Sequence, residues 1–547
     1  VIAYLVVALA ALVWLSWLVR AGLMAARMYQ IEEYEGRRLL AWGRQRAWLF
    51  PPAIILAVVV AAVVSVAVQV IAPHNPFGSV GLGWVCAAVA LHLAWKPLPA
   101  KKPLVYTMRM RRILGASAVI AIVATGAVAA LVVVTPAVVG ALVVMALIVL
   151  APGGALLLVI GGNAVMAPVE RRIQQGFVKQ AKQRMIAYQP LTIGIAGSYG
   201  KTSTKHITAR LLNAFMETLA TPKSYNTLMG VTRTVNENLL PKHRAFIVEM
   251  DAYDTGEIAA MCRLVQPSIA IITSVGPQHL ERFGTLDRIG AAIYELVEAL
   301  PAGSPAVIYC GDTECARLAD RAAQEGYRVV RYGVDGETSD ALDVVASAVE
   351  VTEKATRFTW RWAAEGLEYR IAIPLLGRHN ILNVSAALAI IHLLGLPVAE
   401  AVRDTLLLEA APHRLQLMRQ PGGVTIIDDS YNANPVGVHN GLDVLAQMRG
   451  NKKILVTPGM VELGSREDDE NYRFGEHAAA VCTDIILVGE RQTQAIQNGL
   501  RAAHFPTDHL HCVNTLAEVT AVIGQIAREG DIVLFANDLP DTYLELG

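Results

Sequence analysis

A helical membrane-spanning region followed by two α/β domains is the fold class this sequence predicts, on three observations. The 547 residues are 54% hydrophobic and 17% charged, with a mean hydropathy of +0.41, too apolar for a chain that lies wholly in water. Long charge-free apolar runs fill residues 1–165, whereas the rest alternates short apolar strands with amphipathic helical stretches. At the start of that second part, the glycine-rich stretch Gly194-Ile195-Ala196-Gly197-Ser198-Tyr199-Gly200-Lys201-Thr202-Ser203 follows one strand and opens a helix.

The apolar runs lie at 3–19, 53–72, 79–95, 113–134 and 137–160, each near the roughly 20 residues that cross hydrocarbon. Five spans are expected, although the third is short and contains His92, so that a tilted or re-entrant course stays open. Arg20 and Arg27 follow the first run without a small-residue cleavage site, which argues against a cleaved signal. The chain starts at Val1, which leaves its true N-terminus open. Arg20, Arg27, Arg37, Arg38, Arg44 and Arg46 fill the first loop, and Lys96, Lys101, Lys102, Arg109, Arg111 and Arg112 the third. The intervening loops carry no Lys or Arg, and Arg171, Arg172, Lys179, Lys182 and Arg184 follow the last span. By the positive-inside rule this is a multi-pass protein of the cell membrane, with everything after the spans in the cytoplasm. Gln69 and His92 are the conspicuous polar side chains within the spans. A transport path normally needs ionisable groups in the bilayer, so the region reads as an anchor or lipid-access platform.

The 47 basic and 47 acidic residues cancel, which gives no electrostatic case for a nucleic-acid partner. The six cysteines are dispersed without a C-x-x-C pair, so free thiols and no structural zinc are expected. The spacing divides the chain into a transmembrane anchor (1–165), a juxtamembrane linker (166–189), a central α/β domain (190–409) that begins with the glycine-rich loop, and a Rossmann-like terminal domain (410–547). Strands are expected at 191–196, 245–249, 268–273 and 306–310, then a β-rich patch at 343–373 and a turn into a helix at 377–394. In the terminal domain they are expected at 424–428, 453–457, 484–488 and 531–535.

The loop explains why nucleotide chemistry is expected. Backbone N–H groups from Gly197 to Ser203 can face phosphate oxygens, Lys201 adds a positive charge, and the Thr202 hydroxyl can ligate magnesium. ATP and Mg2+ are the cofactors this implies. Ile195 stands where the plain P-loop pattern has its first glycine, and the spacing G-x-x-G-x-x-G-K-T resembles the ATP loop of the Mur ligases, which add amino acids to the peptide of the bacterial wall precursor. Further blocks follow in that family's order: Phe246-Ile247-Val248-Glu249-Met250, Gly256-Glu257-Ile258, His279-Leu280-Glu281-Arg282-Phe283-Gly284, Gly377-Arg378-His379-Asn380, Asp428-Asp429-Ser430-Tyr431-Asn432 and Met460-Val461-Glu462-Leu463-Gly464. The last two are most similar to the branch that ligates D-alanyl-D-alanine to a UDP-muramoyl tripeptide. Together the blocks cover nearly all of residues 190–547.

The resemblance implies roles. Lys201, Glu249 and His279 would be catalytic, with Thr202, Glu249 and His279 holding magnesium. Asn380 would read adenine, while Arg414 and Asp429 would complete the nucleotide site. Asn226, Tyr431 and Asn432 would contact substrate. The reaction implied is phosphorylation of an acceptor carboxylate by ATP, followed by amide formation with an amino acid or dipeptide. Three departures from the family pattern leave substrate choice open. Membrane spans stand where a UDP-sugar-gripping domain is usual, so the acceptor is either a small molecule or lipid-linked. Ile293 replaces a lysine that relatives often carry, carbamoylated to bind magnesium, which leaves water, Glu295 or the acceptor to complete that site. The chain ends on Asn537-Asp538-Leu539-Pro540 in place of a Lys-Gly-Ser type turn. A ligase forming a γ-linked polymer or modifying a lipid-linked precursor, and a transport or regulatory ATPase, remain as alternatives.

Overall fold

Residues 2–45, 48, 52–71, 76–95, 103–336, 341–352, 355–431 and 433–538 are described in a computed structural model. Arg46, Lys96, Lys101 and Lys102 of the orientation argument, Asn432, and the chain end from Leu539 lie outside them. The chain divides into two compact units, Val1–Ile173 and Gln174–Leu539.

In the first unit the apolar runs become helices because leucine, valine and alanine on every face leave backbone hydrogen bonding to be satisfied within each segment. The helices are α1 (Ile2–Ile31), α2 (Gly36–Gln45), α3 (Pro52–Ile71), α4 (Pro76–Ala94), α5 (Met108–Val134) and α6 (Ala137–Tyr188). Among the described residues, α1, α3, α5 and α6 hold segments long and apolar enough to cross a membrane, and the described apolar part of α4 is the shorter Ser79–Ala94. Residues 166–188, read from the sequence as a linker, continue α6, which begins in the first unit and ends in the second. Gly176 and the proline at 168 both stay inside the helix.

Tryptophans organise this unit: Trp14 stacks on Trp17 at 5.3 Å between ring centroids, and Trp17 meets Trp95 at 4.9 Å. Arg20 donates to the carbonyls of His92 and Trp95, at 2.7 and 3.1 Å, and so satisfies the C-terminal end of α4. His92 itself pairs with Ser16 at 2.8 Å. Between α5 and α6, the Ser117 hydroxyl donates to Leu158 O at 2.9 Å, and Gly162 lets the backbones approach.

The second unit carries two sheets. The larger is built of β1 (Leu191–Ala196), β2 (Thr218–Ala220), β3 (Ala245–Glu249), β4 (Ile269–Ile272), β5 (Pro305–Tyr309), β6 (Arg328–Val334), β7 (Val344–Val351), β8 (Thr356–Trp362) and β9 (Leu367–Ile373). Their order is β2-β3-β1-β4-β5-β6-β7-β8-β9, parallel from β2 to β7 and antiparallel thereafter. The smaller holds β10 (Gln416–Arg419), β11 (Thr425–Asp429), β12 (Lys453–Thr457), β13 (Asp484–Val488), β14 (Leu510–Val513) and β15 (Ile532–Ala536), in the order β10-β11-β15-β12-β13-β14. Helices α7 (Lys201–Leu212), α8 (Leu228–Asn238), α9 (Glu257–Val265), α10 (Leu280–Phe283), α11 (Leu286–Glu298), α12 (Thr313–Gln324) and α13 (His379–Leu393) accompany the larger sheet. Helix α13 is buried on nearly every side, which explains its unbroken apolar run. Strand β1 lies mid-sheet between β3 and β4, so the loop after it opens at the carboxyl ends of three neighbouring strands, where α/β sheets bind ligands.

A β-carbon at Gly162 would sit 2.7 Å from Ile113 O, which cannot move aside, whereas one at Gly126 meets nothing within 4 Å. Gly162→Val is therefore expected to lower the thermal stability of the detergent-solubilised protein by about 1–3 kcal/mol. Gly126→Val is expected to leave it near the parent value.

Candidate active site

Two glycines set the shape of the loop after β1. Gly197 (φ 145°) and Gly200 (φ 80°) adopt left-handed backbone conformations, and a β-carbon at Gly197 would approach Ser274 N to 2.9 Å. Ser198 N donates to Ser274 O at 2.8 Å, Tyr199 N to Ser274 Oγ at 2.8 Å, and the Ser198 hydroxyl exchanges hydrogen bonds with the backbone of Gly276. Ser198 and Tyr199 thus hold the loop against the segment after β4. The N–H groups of Gly200, Lys201, Thr202 and Ser203 stand at the start of α7, where a helix has no internal acceptors for them and its dipole favours an anion.

Lys201 is 5% exposed; its ammonium donates to Gly197 O at 2.5 Å and pairs with Asp251 at 3.2 Å. Glu249 ends β3 at 2% exposure and is gripped from three directions. Thr202 Oγ1 donates to its Oε1 at 3.1 Å, Asn226 Nδ2 donates to the same oxygen at 3.2 Å, and Lys205 Nζ pairs with Oε2 at 2.8 Å. Asn226 also donates to Asp251 at 3.3 Å. Lys205 is fully buried, and its second contact, to Lys223 O at 2.7 Å, ties α7 to the loop that carries Asn226. Sequence reasoning brought Lys201, Thr202, Glu249 and Asn226 into one site, and the structure places Thr202 and Asn226 on Glu249 and Lys201 on the neighbouring Asp251. It overlooked Lys205 and Asp251. The signal for Lys205 was its i+4 spacing from Lys201 on the same helix.

His279 sits at the N-terminus of α10 in a left-handed conformation (φ 55°), 6% exposed, with Tyr253 edge-on at 4.6 Å. Its Nδ1 lies 2.6 Å from Glu462 Oε2, a contact from the β12–α loop of the smaller-sheet domain to the larger. Ser198, Asp251, Gln278, His279, Phe283 and Ile293 line a cavity of about 20 Å³, the size of one or two water molecules. Gln278 Oε1 is buried there without a hydrogen-bond partner, a donor-starved oxygen of the kind that ligates cations. Glu295, one candidate to stand in for the lysine missing at Ile293, is committed elsewhere: it accepts from Gly256 N and, at 2.9 Å, from Ala259 N, capping α9. Burial of Ile293 in apolar surroundings leaves that side of the cavity without a ligand.

Asn380 is 7% exposed and its amide is in use, donating to Leu376 O at 2.8 Å and accepting from Asn383 at 3.0 Å. Asn383 in turn accepts from Thr204 of α7 at 3.0 Å, so this block braces the P-loop helix. Arg414 lies over the Tyr431 ring at 4.7 Å. Burial pushes Asp429 up to about 6, although the nearby Arg414 charge and the Leu415 N–H oppose it. Burial also raises its neighbour Asp428, but hydrogen bonds from Ser430 and His413 outweigh it and hold that carboxyl below the usual range. Burial, helped by Arg414, lowers His379 to about 4, so that it is neutral beside Asn380. The nucleotide roles expected of Arg414 and Asp429 and the substrate role expected of Tyr431 come from the resemblance alone.

Residues 195–391 match the Mur ligase middle domain, and 413–537 match the glutamate ligase domain of the Mur ligases. The UDP-N-acetylmuramoyl-tripeptide–D-alanyl-D-alanine ligase of Mycobacterium leprae is 30% identical over 402 residues, covering 68% of this chain and 75% of that protein. The Escherichia coli enzyme of the same name is 31% identical over 304 residues, 56% of this chain and 65% of its own. The chain thus spans about two thirds of the length of these relatives. Among solved structures, MurF from Acinetobacter baumannii superposes with a TM-score of 0.59 at 26% identity, covering 68% of this chain and 78% of that one. MurF ligase from Thermotoga maritima in complex with ADP shares the fold, with a TM-score of 0.58 at 23% identity and coverage of 68% and 81%.

The raised Asp429 implies a pH effect. Its protonated form is favoured in the folded state, so this contribution is complete below about pH 4 and is lost as pH rises through about 6. Asp429→Asn is expected to remove that dependence and to be more stable than the parent at pH 7.5 by on the order of 2 kcal/mol, checked by denaturant unfolding at pH 4.5 and 7.5. Lys205→Met, which strands a buried carboxylate, is expected to cost about 3–5 kcal/mol. Lys242→Met, removing an exposed partner of Glu217, is expected to change stability by less than about 1 kcal/mol.

Proposed function

The chain belongs to the Mur ligase family, and on that premise we propose that it is a membrane-anchored ATP-dependent amide ligase acting on a cell-wall precursor peptide. The amine it adds is an amino acid or D-alanyl-D-alanine. The observation that carries this reading is the convergence of Lys201, Thr202, Lys205 and Asn226 on Glu249 and Asp251 at the carboxyl end of the central strands. Apolar helices, in place of the relatives' N-terminal part, favour a lipid-linked acceptor, and loop charge favours catalysis on the cytoplasmic side.

Magnesium, when bound, supplies charge neutralisation on the transferring phosphoryl group; Thr202 and Glu249 would hold one ion, His279 and Gln278 a second. The start of α7 presents its free N–H groups to the phosphates, and Lys201 exchanges its loop carbonyl and Asp251 for phosphoryl oxygen. Asn226 faces the acceptor carboxylate. One oxygen of that carboxylate attacks the γ-phosphorus and ADP departs. The amine then attacks the acyl carbon of the mixed anhydride, phosphate leaves with the bridging oxygen, and the nitrogen loses a proton. Positioning and electrostatics supply most of the rate.

The full chain in detergent, given ATP, magnesium and paired candidates, is expected to release phosphate only when carboxylate and amine are both present, with the amide found by mass spectrometry. Phosphate release that ignores both substrates contradicts the proposal. Lys201→Ala is expected to lose at least about 10²–10³-fold in turnover while unfolding at the parent temperature, because the glycines, not the lysine, shape the loop.

A further inference from the structure

The contact between His279 and Glu462 joins a candidate metal ligand on one domain to a carboxylate on the other. His279 Nδ1 is 2.6 Å from Glu462 Oε2, and Glu281 N donates to Glu462 O at 3.4 Å, so both the side chain and the backbone of this residue reach α10. Glu462 is held in a left-handed conformation (φ 66°) that turns it towards α10, and a β-carbon on Gly464 would lie 3.6 Å from the Glu281 backbone. With Nδ1 taken by the carboxylate, Nε2 is the acceptor nitrogen of the imidazole; it takes a hydrogen bond from the Gln278 amide at 3.2 Å, which an ion would replace, in the wall of the cavity with the unpartnered Gln278 Oε1.

A carboxylate on one imidazole nitrogen and an ion on the other is the arrangement by which proteins fix the tautomer and raise the basicity of a metal-binding histidine. We propose that Glu462 is the positioning residue for His279, so that divalent-ion binding at His279 and approach of the smaller-sheet domain are one coupled event. The inference rests on the metal role given to His279 under Proposed function. The carboxylate comes from the smaller-sheet domain, so the histidine is fully oriented only when the two domains meet. Linkage makes this reciprocal: whatever factor closure adds to ion affinity, the ion adds to closure. The design also bears on Ile293. The carboxylate that supports the ion arrives from the opposite domain, and no side chain of α11 provides one.

The test is Mn2+ binding to the full chain in detergent with a non-hydrolysable ATP analogue, followed by electron paramagnetic resonance of free Mn2+. A fluorescent pair on the two domains reports closure in the same samples. Two ions are expected. Glu462→Ala should weaken one of them by about 10–100-fold, leave the other unchanged and abolish the Mn2+-dependent closure. Glu462→Asp should restore part of both effects, which distinguishes positioning from loss of fold, and thermal unfolding verifies that each variant is folded. If Glu462→Ala leaves both affinities unchanged while His279→Ala weakens one, the positioning role is overturned and the metal reading stands. If His279→Ala also changes neither, the metal role of His279 itself fails, and with it this inference.

Discussion

One buried carboxylate organises the catalytic half of this protein. Glu249 closes β3, an interior strand in the parallel part of the larger sheet, at 2% exposure, where an unpaired charge would cost several kcal/mol. The chain meets that cost with a fully buried lysine, a threonine hydroxyl and an asparagine amide. Each partner comes from a different segment: Thr202 from the first turn of α7, Lys205 one turn further along it, and Asn226 from the loop before α8. Because Lys205 also holds Lys223 O, the carboxylate, α7 and the loop that carries Asn226 are fixed as a unit. Asp251, two residues on, then meets Lys201 without any further element being needed.

Much of this was legible in the sequence. Strands β1, β3, β12 and β13 fall where apolar runs bounded by turns placed them, because strands buried on both faces read as continuous hydrophobic stretches. Strands β2, β6, β10 and β14 did not, since β2 is three residues long, β10 and β14 are four-residue edge strands, and β6 mixes arginine with valine. Lys201 and Thr202 were named from the local spacing a P-loop imposes, and Glu249 from a block matched by resemblance. Asp251 and Gln278 carry no such mark, because what distinguishes them is burial and partnership, which spacing along the chain does not encode, and Lys205 offered only its i+4 spacing from Lys201. Glu462 stood in a quoted motif, yet its role depends on a contact 183 residues away in sequence.

The same division explains the two units. Composition alone separated the apolar helices from the α/β part, since a bilayer admits only segments that satisfy their own backbone. Within the helices, the details were carried by single polar contacts that hydropathy cannot rank. Arg20 closing the end of α4 and Ser117 bonding across to α6 are examples. The run 166–188 looked like a linker because its charge rises, but charge on one face is compatible with a continuing helix, and its last turns bury Ala181 and Met185 in the core of the second unit.

The proposed reaction makes one demand that no mere ATPase or transporter shares: an oxygen of the acceptor must leave with the phosphate. Acceptor labelled with 18O in its carboxylate, turned over by the full chain with ATP and the amine in unlabelled water, tests this directly. The account requires one 18O in each phosphate released alongside amide. Phosphate that carries only oxygen from water or ATP, with amide still formed, would contradict it.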